Sequence, residues 1–182
     1  MTDRPSDRDT SDELGGSAPS YHMDPDDFRR HGHALVDWLA RYMETVGERQ
    51  VMPDVEPGDI TVAIPATAPE KPEPFEDLIR DLDEVVMRGV THWQSPGWFA
   101  YFPATTSGPS ILGELVSAGL GVQGMLWSTS PAATEIENRV TDWLVDLLGL
   151  PAAWRNRTGP GGGVLQSSAS DSTHLVHVVA RE

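Results

Sequence analysis

A run of glycines that leads into hydroxyl side chains is the stretch of this sequence most suggestive of chemistry. Residues 159–163 read Gly-Pro-Gly-Gly-Gly, a short apolar segment follows, and then come Ser167, Ser168, Ala169 and Ser170. This cluster predicts a helix that begins near Ser170 and is capped by it. Free N–H groups and the positive end of the dipole at a helix start can bind an anion such as phosphate. A plain glycine-rich loop before a capped helix explains the same residues, so both interpretations stay open.

Better-defined site motifs are incomplete in this stretch. A dinucleotide fingerprint fails because Val164 stands where its last glycine belongs and the preceding segment is polar rather than a strand. No Gly-Lys-Ser/Thr follows to complete a phosphate loop, and no serine lies between glycines at the spacing of a hydrolase elbow. His174 and His177 could share a helix face, but no further ligand at metal spacing accompanies them. We therefore predict no metal site.

An aromatic cluster at residues 92–103 is the second candidate for chemistry. It reads His-Trp-Gln-Ser-Pro-Gly-Trp-Phe-Ala-Tyr-Phe-Pro, with five large aromatic side chains interrupted by proline and glycine. One interpretation is a buried connector whose rings fill space in the core. The other is an aromatic wall of a pocket for a flat or apolar ligand. The sequence does not decide between them.

The composition excludes several classes of function. The chain has 182 residues, 13 of them basic and 28 acidic, with a formal net charge of −15. A surface of this sign repels phosphate backbones and anionic lipid, so we expect no nucleic-acid partner and no membrane association. The sequence contains no cysteine, which excludes disulfides and thiolate metal sites. Since no apolar run approaches the roughly 20 residues of a membrane span and no signal-peptide pattern is visible, we expect a cytoplasmic protein.

Hydrophobic periodicity predicts helices joined by irregular segments. Residues 1–23 are polar and should form a disordered acidic tail. Asp24-Pro25 should begin an amphipathic helix that Gly47 ends. Six prolines between residues 52 and 74 predict an extended strap with no regular helix. Further helices are expected from Pro74 to Gly89, from about Pro109, and from Ser130-Pro131 to Gly149.

Motifs that occur in register from about residue 24 to residue 182 resemble a known family. They are Phe28-Arg29-Arg30 to Met43-Glu44, Arg49-Gln50-Val51 with residues 53–58, Phe75-Glu76-Asp77, residues 89–93 with Ser95-Pro96, residues 99–103, Trp127 with Ser130-Pro131-Ala132 and Thr134-Glu135, and residues 161–166 with Ser168-Ala169-Ser170. Together these motifs are similar to those of the group II pyridoxal-phosphate-dependent decarboxylases, in the form found in aromatic-L-amino-acid decarboxylases.

The resemblance implies a fold and an assembly. The complete protein should be α/β, with the aspartate-aminotransferase-type pyridoxal-phosphate fold, and this chain should be mostly α. Residues 24–128 would be an N-terminal helical dimerisation segment with a proline-rich strap, and residues 129–182 the truncated start of the cofactor-binding large domain. The complete enzyme would be a homodimer that converts an amino acid, expected to be an aromatic L-amino acid, to an amine and CO2.

The resemblance also assigns site residues. Pyridoxal 5'-phosphate is the implied cofactor, with its phosphate held by Ser168, Ala169 and Ser170. The substrate positions are Trp93, Tyr101, Phe102, Pro103 and Ala104, together with Gln123 and Met125 where the partner subunit contributes. Ala104 replaces a threonine of the animal enzymes, and Gln123 and Met125 replace Ile-like and Phe-like residues. These departures leave the identity of the amino acid open.

One chemical requirement of the family is missing from these 182 residues. Decarboxylation on this cofactor needs a lysine that forms a Schiff base and an acid partner for the pyridinium nitrogen. Lys71, in Glu70-Lys71-Pro72-Glu73 on the strap, is the only lysine and lacks the family's Asn-Pro-His-Lys context. No catalytic residue is therefore assigned. Two hypotheses remain: the N-terminal part of a decarboxylase that is inactive alone, and a non-catalytic helical dimerisation or interaction module.

Overall fold

The computed structural model describes residues 22–102 and 106–181, and all regular structure in these two stretches is helical. The chain divides into two compact units, one reaching Thr105 and the other beginning at Thr106. The α-helices are α1 (Pro25–Thr45), α2 (Asp59–Val62), α3 (Phe75–Asp81), α4 (Gly108–Leu120), α5 (Pro131–Leu147) and α6 (Ala169–Arg181). The prediction of a mostly α chain is confirmed. The disordered tail predicted for residues 1–23 lies almost wholly outside the described residues.

Helix α1 begins where the sequence predicts, because Asp24 caps it. The Asp24 carboxylate accepts hydrogen bonds from the backbone N–H groups of Asp26 and Asp27 at 2.9 and 2.8 Å. The Asp27 bond is the main reason that the pKa of Asp24 is lowered. The helix ends at Thr45, and a 3₁₀ turn at Val46–Glu48 carries the chain past Gly47.

The first unit is held by contacts between α1 and the segment that begins with α3. His31 is only 6% exposed and its ring lies 4.6 Å from that of Phe75. Further along, the Trp38 indole N–H donates to the Asp83 carboxylate at 3.1 Å. The helix expected from Pro74 to Gly89 is not uniform, since α3 passes into a π-helical turn at Leu82–Val86.

The prediction that the proline strap contains no regular helix is wrong at one turn. Between Pro57 and Pro65 the chain has enough proline-free residues to form α2. Ile60 of this turn packs against the backbone of Gly89, where an added Cβ would lie 2.9 Å from the Ile60 Cγ1 atom. A larger residue at Gly89 would push the strap away from this contact.

In the second unit the helix boundaries follow local capping signals. Ser107 and Ser110 form a reciprocal capping box at the start of α4. Ser130 accepts from the backbone N–H of Ala133 at 3.3 Å and caps α5. Gly149, with φ of +66°, follows the end of α5. The predicted start of α5 at Ser130-Pro131 and its predicted stop at Gly149 are both confirmed.

Few apolar side chains are enclosed in either unit. Among the described residues only Val46 and Val145 are buried apolar side chains. Many others on the helices are exposed, including Leu115, Val116, Leu120, Ile136, Leu147, Val176 and Val179. No helix within residues 22–102 or 106–181 is both long enough and apolar enough to cross a membrane.

Candidate functional site

The start of α6 is where the sequence placed a phosphate site, and its cap differs from the prediction. The helix begins at Ala169. Ser168, not Ser170, is the cap, because its Oγ accepts from the backbone N–H of Asp171 at 3.1 Å. The prediction of Ser170 as the cap is therefore wrong, and the Ser170 side chain is free of that role.

A carboxylate lies in the first turn of α6. The hydroxyls of Ser167 and Ser168 both donate to Oδ2 of Asp171, at 2.5 and 2.8 Å. These two hydrogen bonds, with that of Ser167 the larger cause, lower the pKa of Asp171. Asp171 is therefore held as an anion near the positive end of the helix dipole, which stabilises the helix start.

The residues at this helix start fit a phosphate group. Within the described chain the backbone N–H groups of Ala169 and Ser170 donate to no acceptor. The Ser170 hydroxyl has no hydrogen-bond partner among the same residues. An open hollow of about 460 Å³ adjoins them, lined by Ala169, Ser170, Thr173, His174 and His177. Two N–H donors, a hydroxyl and a helix dipole suit an anion. The negative charge of the Asp171 carboxylate repels an anion at this place, so anion binding depends on the position of the two N–H groups and the hydroxyl.

The glycine-rich segment before α6 packs against the 3₁₀ turn at Ala152–Trp154, against Asn156 and, at Gly163, against α5. None of Gly159, Gly161, Gly162 and Gly163 has a positive φ, so left-handed backbone is not the reason for glycine. A Cβ added at Gly163 would lie 2.8 Å from the Thr141 Cβ, and one added at Gly162 would overlap the Asn156 side chain. These glycines are required by close packing, which neither sequence interpretation predicted.

A buried polar cluster on α5 holds the beginning of this segment. Asp142 and Thr141 are 5% and 7% exposed. The Asp142 Oδ1 accepts from the backbone N–H of Asn156 at 2.7 Å. The Asn156 amide donates to the Thr141 hydroxyl at 2.8 Å and makes a longer bond to Asp142 at 3.3 Å. Nearby, Arg155 pairs with Asp146 on the exposed side of α5.

Three aromatic rings of the first unit form one cluster. The Trp93 and Trp98 ring centroids are 4.9 Å apart, and Tyr101 lies 5.9 Å from Trp93 and 6.3 Å from Trp98. Tyr101 is 81% exposed and has φ of +58°, an uncommon backbone conformation for a tyrosine. The buried-connector interpretation is wrong for Phe99 and Phe102, which are 93% and 100% exposed. The cluster presents an open aromatic face.

The other predicted substrate positions are distributed over both units. Pro103 and Ala104 lie outside the described residues. Gln123 and Met125 are exposed in the second unit, between α4 and α5, and the Gln123 carbonyl accepts from the Thr129 hydroxyl at 2.7 Å. Trp93 and Tyr101 are brought together in the first unit. The assignment of all these residues to substrate remains a prediction.

Two further features concern metal and lysine chemistry. Residues 22–102 and 106–181 contain no group of three or more metal-ligating side chains. Lys71, the only lysine in the sequence, is exposed on the strap of the first unit, whereas Ser168–Ser170 belong to the second. The described residues thus fit the phosphate of the cofactor and offer no lysine beside it within the second unit.

Sequence reasoning missed two elements of these sites. Nothing in the sequence distinguishes Trp98 from its aromatic neighbours. In the structure it is the half-buried ring on which Trp93 and Tyr101 pack. Asp142 and Asn156 are separated by 14 residues, and nothing local marks their contact.

Comparison with known proteins gives consistent results across the chain. A family model described as "Pyridoxal-dependent decarboxylase conserved domain" matches residues 57–182. Aromatic-L-amino-acid decarboxylase of Rattus norvegicus is 47% identical over 160 residues, which are 87% of this chain and 33% of that protein. Histidine decarboxylase of Homo sapiens is 43% identical, over 88% of this chain and 24% of that protein.

A solved structure agrees with these relatives. Catharanthus roseus tryptophan decarboxylase, in complex with L-tryptophan, superposes with a TM-score of 0.82 at 41% identity, over 87% of this chain and 34% of that one. This similarity confirms the fold class that the motifs implied for the complete protein, the aspartate-aminotransferase type. The chain spans about a quarter to a third of the length of these decarboxylases. Because this family model covers residues 57–182, which are most of the chain, the chain belongs to the pyridoxal-phosphate-dependent decarboxylase family.

Proposed function

We propose that this chain is the N-terminal part of a decarboxylase that uses pyridoxal 5'-phosphate to convert an aromatic L-amino acid to its amine and CO2. The observation that carries the proposal is the family match over residues 57–182, which includes the helix start suited to a phosphate. The names of the relatives, aromatic-L-amino-acid and tryptophan decarboxylases among them, support an aromatic substrate. The open ring cluster of Trp93, Trp98 and Tyr101 is a suitable surface for an aromatic side chain.

The cofactor, when bound, supplies an electron sink for the bond that breaks in decarboxylation. The residues of this chain would bind the cofactor and orient the substrate. Backbone N–H groups of Ala169 and Ser170, with the Ser170 hydroxyl, would hold the phosphate, and Ser168 would keep the helix start in shape by capping it. Trp93 and Tyr101 would exclude water from one face of the substrate. The undescribed Pro103 and Ala104 would also face the substrate. In a homodimer in which residues 24–128 form the dimerisation segment, Gln123 and Met125 would contribute to the site from the partner subunit.

These 182 residues are proposed to be inactive by themselves. Lys71 lies on an exposed strap among prolines and acidic residues, in the other unit from the phosphate-binding helix start. The lysine that bonds the cofactor would come from polypeptide outside these residues, which span about a third of the relatives. The alternative, a non-catalytic helical module, predicts that the complete gene product binds no cofactor and releases no CO2.

The test compares the complete product of the gene with the 182-residue polypeptide. We expect the complete product to bind pyridoxal 5'-phosphate with a visible absorbance band and to release CO2 from L-tryptophan or another aromatic L-amino acid. The 182-residue polypeptide should release none. L-histidine is the comparison substrate, because one relative is a histidine decarboxylase.

A Lys71→Arg variant of the complete product is the matched control. It should keep wild-type activity, since the strap lysine is not expected to bond the cofactor. Loss of cofactor binding in this variant, or CO2 release by the 182-residue polypeptide, would contradict the assignment of an outside lysine. A complete product that binds no cofactor would favour the non-catalytic module.

A further inference from the structure

We propose that Asp142 and Asn156 are positioning residues for the cofactor phosphate, acting through the glycine-rich segment that delivers the start of α6. Neither residue touches the helix start, and neither belongs to the phosphate-binding set Ser168–Ser170. The inference rests on the proposed function, because it assigns to this pair the placement of that same phosphate site.

The first step is the unusual setting of the Asp142 carboxylate. It is 5% exposed, and within the described residues no cation pairs with it. A carboxylate buried without a counter-charge is unfavourable unless hydrogen bonds compensate. Those bonds come from one residue, Asn156, through its backbone N–H at 2.7 Å and its side-chain amide at 3.3 Å. Asp142 therefore fixes the position of Asn156.

The second step is the anchoring of Asn156 to two neighbouring turns of α5. Its amide also donates to the Thr141 hydroxyl at 2.8 Å and reaches the Asn138 carbonyl at 3.4 Å. Asn138 and Asp142 are four residues apart, so these contacts follow one face of the helix. With its amide and its backbone both bonded, Asn156 has little freedom to rotate.

The third step connects this anchor to the glycines. Gly162 lies against the Asn156 side chain, and Gly163 lies against Thr141, where an added Cβ would be 2.8 Å from the Thr141 Cβ. The polar cluster is thus the surface on which Gly162 and Gly163 rest. A change in Asn156 alters the surface under Gly162 directly.

The fourth step connects the glycine segment to the start of α6. The backbone N–H of Leu165 donates to the Glu137 carboxylate at 2.7 Å, on the turn of α5 that precedes Thr141. Ser168, the cap of α6, follows three residues later. The segment is therefore held on α5 at Asn156, Gly163 and Leu165, just before the proposed phosphate donors begin. Since Asp171 opposes an anion there, a small displacement of the Ala169 and Ser170 donors weakens phosphate binding.

The experiment measures two affinities in the complete gene product. Dissociation constants for pyridoxal 5'-phosphate and for pyridoxal, which lacks the phosphate, are determined by absorbance titration of the cofactor-free protein. Asp142→Asn and Asn156→Ala are each expected to weaken pyridoxal 5'-phosphate binding on the order of tenfold, as for loss of a hydrogen bond to a charged group. Pyridoxal binding should change by less than about twofold, since only the phosphate depends on the helix start.

A second measurement does not depend on cofactor. Amide hydrogen exchange across residues 163–172 of the cofactor-free protein should be faster in both variants than in wild type. The matched control is Asp146→Asn, the same substitution one turn further along α5. Its exposed pairing with Arg155 should contribute little, so both affinities should stay near wild type.

The outcomes separate the inference from the proposed function. An unchanged ratio of the two affinities in folded variants, or an equal loss for both ligands, would overturn the positioning role. If Asp142→Asn does not fold, Asn156→Ala decides the question, because it keeps the backbone bond to Asp142. A wild-type protein that binds neither ligand contradicts the proposed function and this inference together.

Discussion

His92 shows how a single enclosed residue in the first unit responds to pH. It is 5% exposed, its Nδ1 shares a hydrogen bond of 3.1 Å with the Tyr42 hydroxyl, and its backbone N–H donates to the Val51 carbonyl at 2.9 Å. Burial is the main cause that lowers the pKa of His92, and the charge of Arg49 adds to it. Burial also raises the pKa of Tyr42. The pair is therefore a neutral contact at neutral pH.

The lowered pKa of His92 predicts a loss of stability on mild acidification. Just below its ordinary value of 6.5 the unfolded chain binds a proton that the folded chain does not. The free energy of unfolding therefore decreases as the pH falls from 6.5 towards the lowered value, and it is retained above 6.5. Thermal melts of the complete gene product across this range should show the decrease.

A His92→Gln variant should lose part of this pH dependence, because glutamine does not titrate. His33→Gln, on the exposed side of α1, is the matched control. An identical pH dependence in wild type and His92→Gln would rule out His92 as the source.

At the scale of elements, the glycine segment and α5 behave as one packed unit. Helix α5 supplies the carboxylates of Glu137 and Asp142 to backbone N–H groups of the segment. The segment in turn requires glycine where it meets Thr141 and Asn156. The sequence placed both elements correctly but treated the glycines as a loop before a helix, and it did not predict that they pack on α5.

Two glycine substitutions should therefore have opposite effects on stability. Gly163→Ala places a Cβ 2.8 Å from the Thr141 Cβ, and overpacking of this kind destabilises by about 1–3 kcal/mol. Gly113→Ala, in α4 with no atom within 4 Å of its added Cβ, should stabilise by about 0.5–1 kcal/mol through helix propensity. Chemical denaturation of the two variants of the complete gene product measures both.

A neutral or stabilising Gly163→Ala would contradict the packing argument. A destabilising Gly113→Ala alone would instead indicate that this face of α4 is covered in the complete protein. Thr141→Ser combined with Gly163→Ala should recover part of the lost stability, because it removes the Cγ2 atom, which would lie 3.1 Å from the new Cβ.

At the scale of the whole molecule, the apolar helix faces are largely uncovered. Among the described residues only two apolar side chains, Val46 and Val145, are buried, whereas Leu120, Leu147 and Val179 are 68%, 80% and 66% exposed. Large contiguous apolar patches on a folded protein mark interfaces. The chain spans about a third of its relatives, so the remaining polypeptide and a second subunit are the proposed covers.

The 182-residue polypeptide alone should therefore be poorly packed. We expect it to bind a hydrophobic dye, to melt without a sharp transition and to associate as its concentration rises, while the complete gene product does none of these. Dye fluorescence, calorimetry and light scattering measure the three properties. A sharp cooperative melt of a dye-free monomer would show that these helices need no further surface.

The sequence by itself determined the helix boundaries that depend on neighbouring residues. Asp24, Ser130 and Gly149 act through contacts within a few positions of the chain, so their residue types predict where α1 and α5 begin and where α5 stops. The family motifs are likewise local strings, and they predicted the family, the cofactor and the fold class. Where several hydroxyls compete, as at Ser168 and Ser170, the local pattern was not sufficient.

Only the tertiary structure decided why the glycines are there. The bonds from Asn156 to Thr141 and from Leu165 to Glu137 join residues 15 and 28 positions apart. Contacts at such separations depend on how α5 and the segment pack, and no periodicity encodes them. The glycines first suggested a phosphate cradle. They pack instead against Ala153, Trp154, Asn156 and Thr141, and the proposed phosphate donors lie beyond them at the start of α6.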